Sequence, residues 1–248
     1  MTGDHYSYRV YADPAMADAF DALRFSGPIG TLLADTQDRI VAEFLGTVEG
    51  RAVIDVGTGT GRAALGLARR GALVTGVDAS EEMLRVARAR AAEAGLPATF
   101  DVGDAHALRY PDRAFEAAVS LRVLMHTPDW RVCLRELCRV ADDRVVFDFP
   151  AAFSAAALQA GFRRVAAAAG RPVEAYRVLR VRDVAEVLAA CGFRVADAHR
   201  QFVLPIALHK LIGSRRVTLA VERAFEALGL LKLAGSPVTV VAVRCERS

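Results

Sequence analysis

The sequence predicts an α/β protein in which a mostly parallel β-sheet carries helices on both faces. Short valine-rich apolar runs alternate with longer stretches of helical periodicity from about residue 51 to about 150, and such alternation is typical of a covered parallel sheet. A glycine-rich segment joins the first run to the first helical stretch. The composition is 53% hydrophobic and 25% charged, with a formal net charge of +3. These values exclude disordered and fibrous classes.

Five strands are expected in the alternating region, at 52–56, 73–77, 99–102, 115–121 and 144–149. Ser80 follows the second strand and can cap a helix, because a serine hydroxyl accepts from the free N–H groups of the first turn. Glu81 and Glu82 lie in that first turn, where negative side chains stabilise a helix because its N-terminus carries partial positive charge. Thr127, with Pro128 at the first helical position, is expected to begin another helix after the fourth strand.

The pattern changes after residue 150. The expected elements, in chain order, are helices at 151–170 and 182–191, a stop at Gly192, a strand over 193–203, one or two amphipathic helices within 205–235 and a last strand at 237–243. No linker or low-complexity tract marks a boundary, so we expect a single domain over 1–248. Within it, 1–48 form a helical extension or lid, 51–149 the core, and 150–248 a C-terminal part with antiparallel strands and a helical cover.

Targeting and redox features favour a cytoplasmic protein. No window approaches the roughly 18 uninterrupted apolar residues of a membrane span, and the opening segment MTGDHYSYRVYADP lacks the apolar centre of a secretory signal. The four cysteines form no CxxC pair, which agrees with a reducing compartment and disfavours a structural zinc site. We interpret all four as small core residues: Cys133, Cys138, Cys191 and Cys245.

The segment VIDVGTGTGRAAL places Asp55 and three glycines between a strand and a helix. Glycines at this position let the backbone approach a ligand at a helix N-terminus, so a nucleotide-like cofactor is expected. A dinucleotide fingerprint requires glycine where Arg62 stands. Taken alone, the segment is also compatible with a tight connection between strand and helix. The next strand, in VTGVDAS, ends in Asp78, whose carboxylate can accept hydrogen bonds from ribose hydroxyls or act as a turn residue.

Three segments together carry a specific resemblance. VIDVGTGTG, VTGVDASEEML and FDVGDAHALRYPDRAFEAAVSLRVLMH resemble the class I S-adenosylmethionine-dependent methyltransferases, in particular the methyltransferase type 11 group, over about 51–149. The GF-x-V pattern at 192–195 and the final strand resemble the family's antiparallel ending. The resemblance implies S-adenosylmethionine as cofactor. It also implies a Rossmann-like seven-stranded sheet in the order 3-2-1-4-5-7-6 with an antiparallel last strand.

The resemblance also implies which residues contact the cofactor. Asp78 would accept from the ribose hydroxyls, Met83 would lie against the adenine, and Asp104 would accept from the adenine amino group; a turn role is the alternative for Asp104. The backbone of Ala105 would donate to the adenine ring and that of Leu121 would accept near the methionyl amine. The full set is Asp55, Gly57, Thr58, Gly59 and Gly61 around the methionyl part, then Asp78, Ala79, Met83, Asp104, Ala105 and Leu121.

Methyl transfer requires mainly alignment of acceptor, methyl and sulfur, although a hydroxyl acceptor benefits from a general base. His126, after the fourth strand, is the first candidate for that base; packing at the following helix start is the alternative. Asp148, near the carboxyl end of the strand in VVFDFP, can also face the pocket, but it ranks below His126 because a carboxylate at a strand end is more often solvated or a helix cap. His209 and Lys210 are interpreted as polar tips on an amphipathic helix that would matter for an anionic acceptor.

Aromatic residues near the N-terminus are candidates for a lid, with core packing as the alternative: Tyr6, Tyr8, Tyr11, Phe20 and Phe25. Nucleic acid is not an expected partner. Relatives that methylate nucleic-acid amino groups carry an Asn/Asp-Pro-Pro-aromatic motif where this chain has LRVLMH. Arg85, Arg88 and Arg90 share their helix with acids, which favours a solvated surface. The acids are dispersed, so no metal site is expected.

The leading hypothesis is an enzyme that methylates a small organic acceptor, a metabolite or natural-product intermediate, at oxygen, nitrogen or carbon. A lipid-linked acceptor is the alternative within the same fold, since 203–233 is rich in apolar residues. The alternative from another class is a protein that binds S-adenosylmethionine without catalysis. No integral membrane association is expected.

Overall fold

The computed structural model describes residues 13–168 and 176–245. Seven strands form one sheet in the order β3-β2-β1-β4-β5-β7-β6. Strands β1 to β5 are parallel, and β7 runs antiparallel to both β5 and β6. This confirms the predicted seven-stranded sheet and its order. The strands are β1 (Ala52–Val56), β2 (Leu73–Asp78), β3 (Ala98–Val102), β4 (Phe115–Ser120), β5 (Ala141–Phe149), β6 (Phe193–Arg200) and β7 (Val238–Arg244).

Helices precede, separate and follow the strands. Two lie ahead of β1, as expected for the extension: α1 (Pro14–Phe25) and α2 (Gly27–Leu45). Those between strands are α3 (Arg62–Ala68), α4 (Glu81–Ala94), a 3₁₀ turn (Leu124–His126), α5 (Trp130–Val140), α6 (Ala155–Ala168) and α7 (Val181–Ala190). Three short helices separate β6 from β7 and are called the cap here: α8 (Ile206–Ile212), α9 (Arg215–Ala227) and α10 (Leu230–Ala234).

Apolar side chains bury both faces of the sheet. On one face, Leu134 and Leu188 of α5 and α7 pack with Phe147. On the other face, Phe44 of α2 and Leu84 of α4 pack with strand residues. Burying an aliphatic or aromatic side chain of this size stabilises the fold by roughly 1.5–3 kcal/mol. The expectation of helices on both faces is confirmed.

The cap and α2 meet in a separate apolar cluster. Leu33 of α2 and Phe202, which follows β6, are both buried there, with Ile206 and Leu219 of the cap packed against them. Helix α1 packs on α4 instead, where Ala17 contacts a cluster containing Met83. The N-terminal helices and the cap therefore both cover the sheet edge at which the parallel strands end.

Several element predictions were wrong in detail. The helix after β4 does not begin at Thr127: the 3₁₀ turn comes first, and Asp129 caps α5 by accepting from the N–H groups of Arg131 and Val132. Ser80 caps α4 as expected, accepting from the Met83 N–H. The 205–235 region forms three helices instead of one or two.

The interpretation of all four cysteines as core residues was also wrong. Cys133 and Cys138 are buried, Cys191 is half-buried and Cys245 is exposed just after β7. Within the described ranges, no helix combines the length and apolar character that crossing a bilayer demands.

Candidate functional site

A cavity of about 170 Å³ lies where β1, β2 and β4 end. Its floor comes from the glycine-rich loop after β1, from Asp78 at the end of β2 and from Leu121 after β4. Helix α1 forms another wall, with Phe20 and Phe25 among its lining residues. Open α/β sheets present their ligand sites at this edge, beyond the carboxyl ends of the strands. We call this space the first cavity.

The glycines of the loop have different roles. Gly57 has φ +72°, and a Cβ there would lie 2.1 Å from Val123 Cγ2, so this glycine permits close packing of two loops. Gly61 also permits packing, since its Cβ would come within 3.0 Å of Ala87 Cβ. Gly59 has φ +55° and lines the first cavity, and a Cβ there would meet nothing within 4 Å. Only at Gly59 does the missing side chain leave open space at the cavity.

Asp55 holds the loop in place. Its Oδ2 accepts from the Thr58 hydroxyl at 2.7 Å and from the Ala64 N–H at 3.2 Å. The carboxyl is buried, and burial raises its pKa to about 6 despite these hydrogen bonds. Asp55 and Thr58 both line the first cavity.

Asp78 joins the glycine-rich loop to the second strand. Its Oδ2 accepts from the Gly59 N–H at 2.8 Å and its Oδ1 from the Ser80 N–H at 2.9 Å. Burial raises the pKa of this carboxyl, and the backbone hydrogen bonds oppose that rise. A carboxylate has about four acceptor positions, so both oxygens can still accept from hydroxyl groups. Asp78 can therefore supply the acceptors that two ribose hydroxyl donors require.

Residues assigned to the adenine fall into two groups. Ala79, Met83 and Ala105 line the first cavity, with Met83 buried on its inner side. Asp104 is not among the lining residues. Its Oδ1 accepts from the His106 N–H at 2.9 Å and contacts His106 Nδ1 at 2.7 Å, the geometry of a turn aspartate. Its cofactor role stays a prediction.

Two charged residues at the first cavity were missed by sequence reasoning. Asp21 of α1 accepts from the Thr60 hydroxyl at 3.1 Å and pairs with Arg90, which fastens α1 over the glycine-rich loop. Arg62 lies with its guanidinium carbon 4.5 Å from the Phe25 ring centre and donates to Gln37. Burial lowers the pKa of Arg62. For Arg62 the sequence offered one indication, its position directly after the last glycine of the loop. Nothing in the sequence around Asp21 indicates that it lies at the cavity.

A second cavity of about 270 Å³ adjoins the first. The two share four lining residues, Arg24, Phe25, Arg122 and His126. The rest of the second cavity is formed by residues that follow β5 and β6 and by the start of the cap. His126 is buried in the 3₁₀ turn, and its backbone N–H donates to the Val123 carbonyl at 2.8 Å. Its side chain therefore belongs to the wall common to both cavities.

Asp148 is buried at a cavity, which agrees with the pocket-facing alternative and not with a solvated or helix-capping carboxylate. It lines the second cavity and accepts from Gln37 Nε2 at 3.2 Å and from the Arg122 N–H. Burial raises its pKa. Arg122 has φ +62°, in the left-handed region that non-glycine residues seldom adopt. The bond from Asp148 supports that backbone conformation.

His209 is not a polar tip, because its side chain is fully buried. Its Nε2 lies 2.8 Å from Glu222 Oε1 and its Nδ1 3.1 Å from the Thr218 hydroxyl. Lys210, next in sequence, lines the second cavity and donates to the Arg24 carbonyl at 3.1 Å. The histidine thus stabilises the cap from inside, while the lysine ties the cap to α1.

The remaining predictions concern the lid and the arginine run. Phe20 and Phe25 line the first cavity, as the lid hypothesis requires; Tyr6, Tyr8 and Tyr11 lie outside the described residues. Arg85 and Arg90 form ion pairs with Asp18 and Asp21 of α1, and Arg88 pairs with Glu81. The run therefore attaches α1 to α4 in addition to facing solvent.

Comparison with known proteins agrees with this geometry. A family model described as "Methyltransferase domain" matches residues 53–143. Methyltransferase GfsG of Streptomyces halstedii is 33% identical over 146 residues, covering 56% of this chain and 48% of that protein, so the match spans about half of that relative's length. Demethylmenaquinone methyltransferase of Tropheryma whipplei is 30% identical over 192 residues, covering 70% of this chain and 79% of that protein.

A solved structure shares the whole architecture. Magnesium protoporphyrin IX methyltransferase from Synechocystis PCC 6803, crystallised with bound SAH, superposes with a TM-score of 0.69 over 96% of this chain and 98% of that one. The two sequences are 21% identical, so this similarity concerns the fold.

Proposed function

The chain belongs to the class I S-adenosylmethionine-dependent methyltransferases, and from this premise we propose that it transfers a methyl group to a small organic acceptor. The observation that carries the proposal is the pair of adjoining cavities with a common wall at Arg122 and His126. Nine of the eleven residues assigned to the cofactor line the first cavity; Gly61 and Asp104 do not. The second is open to a different ligand and reaches the first across that wall.

The residues of the first cavity fit the family's cofactor. Asp78 would hold the ribose hydroxyls, Met83 and the Ala105 backbone would hold the adenine, and the open space at Gly59 would admit the methionyl part. S-adenosylmethionine supplies an activated sulfonium methyl group when it is bound. The protein's part is then to align the acceptor and to exclude water. Phe20 and Phe25 of α1 cover the cavity and serve the second purpose.

His126 is our candidate for the general base. It is buried and lines both cavities, so an imidazole nitrogen can take a proton from an acceptor hydroxyl held in the second cavity. Asp148 lines only the second cavity and already accepts two hydrogen bonds. It therefore remains the second choice.

The decisive experiment measures conversion of S-adenosylmethionine to S-adenosylhomocysteine in the presence of a metabolite extract. We expect methyl-labelled product in the aqueous fraction, and no turnover without extract. Binding of S-adenosylmethionine without turnover in any fraction would identify a non-catalytic binding protein. A methyl-labelled product whose mass spectrum shows a long acyl or prenyl chain would instead identify a lipid-linked acceptor.

A further inference from the structure

Positive charge dominates the second cavity. Among the described residues that line it, Arg24, Arg122, Arg163 and Lys210 carry cationic groups, whereas Asp148 is the one carboxylate. That carboxylate is already engaged by Gln37 and by the Arg122 backbone, and the charge of Arg122, followed by that of Arg62, acts on it as well. The part of the wall that faces a ligand is therefore electropositive.

One of these cations lies beside an aromatic ring of the cavity wall. The Arg163 guanidinium carbon lies 5.6 Å from the Tyr176 ring centre. The charges of Arg163 and Arg122 both act to lower the pKa of the Tyr176 hydroxyl, although burial raises it overall. Both guanidinium groups are thus within electrostatic reach of the same phenol. The Tyr176 hydroxyl itself lies 3.1 Å from the Ala156 carbonyl oxygen.

A buried donor points to the same ligand chemistry. Gln201 Nε2 is the one buried side-chain nitrogen or oxygen atom of the described chain that has no hydrogen-bond partner. Gln201 lines the second cavity, on the segment that follows β6. A buried donor without an acceptor destabilises a protein, and such atoms are rare in folded chains. Because Nε2 itself has almost no accessible surface, a rotation of the Gln201 amide toward the cavity would bring this donor to an oxygen atom of a bound ligand.

We propose that the second cavity binds an acceptor through an anionic oxygen group, a carboxylate or a phosphate, held by Arg122 and Arg163 with Gln201 as an additional donor. The proposal deepens the proposed function and rests on it for the role of the ligand as methyl acceptor. Arginine suits this task because its planar guanidinium donates two parallel hydrogen bonds to a carboxylate or phosphate. A cationic acceptor would meet more positive than negative side chains among the described residues of the same cavity.

The test compares ligands that share an apolar body and differ in charge. Binding of 2-naphthoate, 2-naphthyl phosphate and neutral 2-naphthamide is measured by titration calorimetry on the full chain saturated with S-adenosylhomocysteine. We expect at least one anion to bind about tenfold or more tightly than the amide. Preference for naphthoate would identify a carboxylate site, and preference for the phosphate a phosphate site.

Variants then locate the preference. Arg122→Asn, which tolerates the left-handed backbone, and Arg163→Gln should each reduce the preference for the anion about tenfold. Arg163 lies outside the first cavity, so its variant should bind S-adenosylhomocysteine as before. Arg182→Gln is the matched control, because Arg182 is 88% exposed on α7 and pairs only with Glu186 in the described structure.

The outcomes separate this proposal from the proposed function. Equal affinity for anion and amide, absence of binding for all three compounds, or an unchanged preference in both arginine variants would overturn the anionic site. The extract can then be passed over an anion-exchange resin, which removes anionic compounds. If the compounds that pass through still yield methylated product, the proposed methyl transfer is supported although the anionic site is not. If the preference depends on Arg122 and Arg163 but no extract supports turnover, the anion site stands and the proposed function fails.

Discussion

The two cavities share a wall but are assembled differently. In the first, the polar contacts of the glycine-rich loop join residues fairly close in sequence: Asp55 binds Thr58 three residues on, and Asp78 binds Ser80 two residues on and Gly59 19 residues back. The α1 wall is attached to that loop over 39 residues, by the Thr60 hydroxyl and Asp21. In the second, Gln37 reaches Asp148 across 111 residues, and Lys210 reaches the Arg24 carbonyl across 186. Local motifs therefore shape the first cavity, and packing between the two ends of the chain shapes the second. A substitution in one should leave ligand binding in the other largely intact.

Gly59→Val is the most severe test of that independence. A β-branched side chain at φ +55° is strained and would enter the open space beside the first cavity. We expect the affinity for S-adenosylhomocysteine to fall more than about a thousandfold, or about 4 kcal/mol. Titration calorimetry on the folded variant measures it.

Gly95→Val is the control for backbone strain. Gly95 has φ +63° and also has nothing within 4 Å of its Cβ position, but it caps the end of α4 and is absent from both cavity linings. It should lower stability and spare cofactor affinity. Equal affinity losses in the two variants would show that backbone strain alone accounts for the effect. Retained binding in Gly59→Val would show that the glycine-rich loop only connects β1 to α3 and does not contact the cofactor.

The same contrast explains what the sequence could reveal. Asp78 and Gly59 stand at strand ends within short motifs, so their neighbourhood followed from the alternation of strands and helices. Asp148 and His209 each interrupt an apolar run, a pattern that is more typical of solvent-facing groups than of buried ones. Their burial depends on partners elsewhere in the fold, Gln37 and Glu222, and no local pattern announces those pairings. For this reason the sequence offers single candidates for the second cavity, such as Asp148 and Lys210, but not the set of residues that forms it.

His126→Ala tests the wall between the cavities. If the imidazole removes a proton from a hydroxyl acceptor, turnover with the acceptor fraction of the extract should fall by roughly 10²–10⁴. Affinity for S-adenosylhomocysteine should change little, because alanine keeps the 3₁₀ turn that His126 ends.

His199→Ala is the matched control for His126, since His199 lies on β6 and lines neither cavity. Turnover in His126→Ala equal to that of this control would remove the base role. An acceptor nitrogen or carbon that needs only alignment would then be favoured.

Asp55→Asn tests how the buried carboxyl beside the first cavity affects the free energy of unfolding at different pH values. Burial raises the pKa of Asp55 from 3.8 to about 6 in the folded chain, so between these values the unfolded chain ionises while the folded chain retains its proton. Folding stability contributed by this group therefore falls as pH rises from about 4 to about 6 and is constant above. Asparagine does not titrate, so its variant does not lose stability as the pH rises. Its side-chain oxygen can still accept from the Thr58 hydroxyl and the Ala64 N–H.

The free energy of unfolding of Asp55→Asn should exceed that of the parent by on the order of 3 kcal/mol at pH 7, with the difference shrinking toward pH 4. Urea unfolding at several pH values measures the difference. Asp142→Asn, at a half-exposed surface carboxylate, should differ from the parent by less than about 0.5 kcal/mol throughout. A difference for Asp55→Asn that does not vary with pH would mean that the buried carboxyl does not titrate in this range.

Glu222→Gln has the smallest expected effect and acts on the other cavity alone. Glu222 accepts from the Val203 and Leu204 N–H groups and contacts His209 Nε2, so it fixes the segment that enters the cap and lines the second cavity. In the glutamine variant one side-chain oxygen becomes an NH₂ group, which faces a group that donated to Glu222 and leaves it without an acceptor. We expect this to lower the free energy of unfolding by about 1–3 kcal/mol. The looser segment should weaken naphthoate binding severalfold while S-adenosylhomocysteine binds as before. Glu226→Gln, exposed one turn further along α9, should do neither. If Glu222→Gln instead weakened both ligands equally, the cavities would be coupled through the cap, and the division between a locally encoded half and a packed half would be wrong.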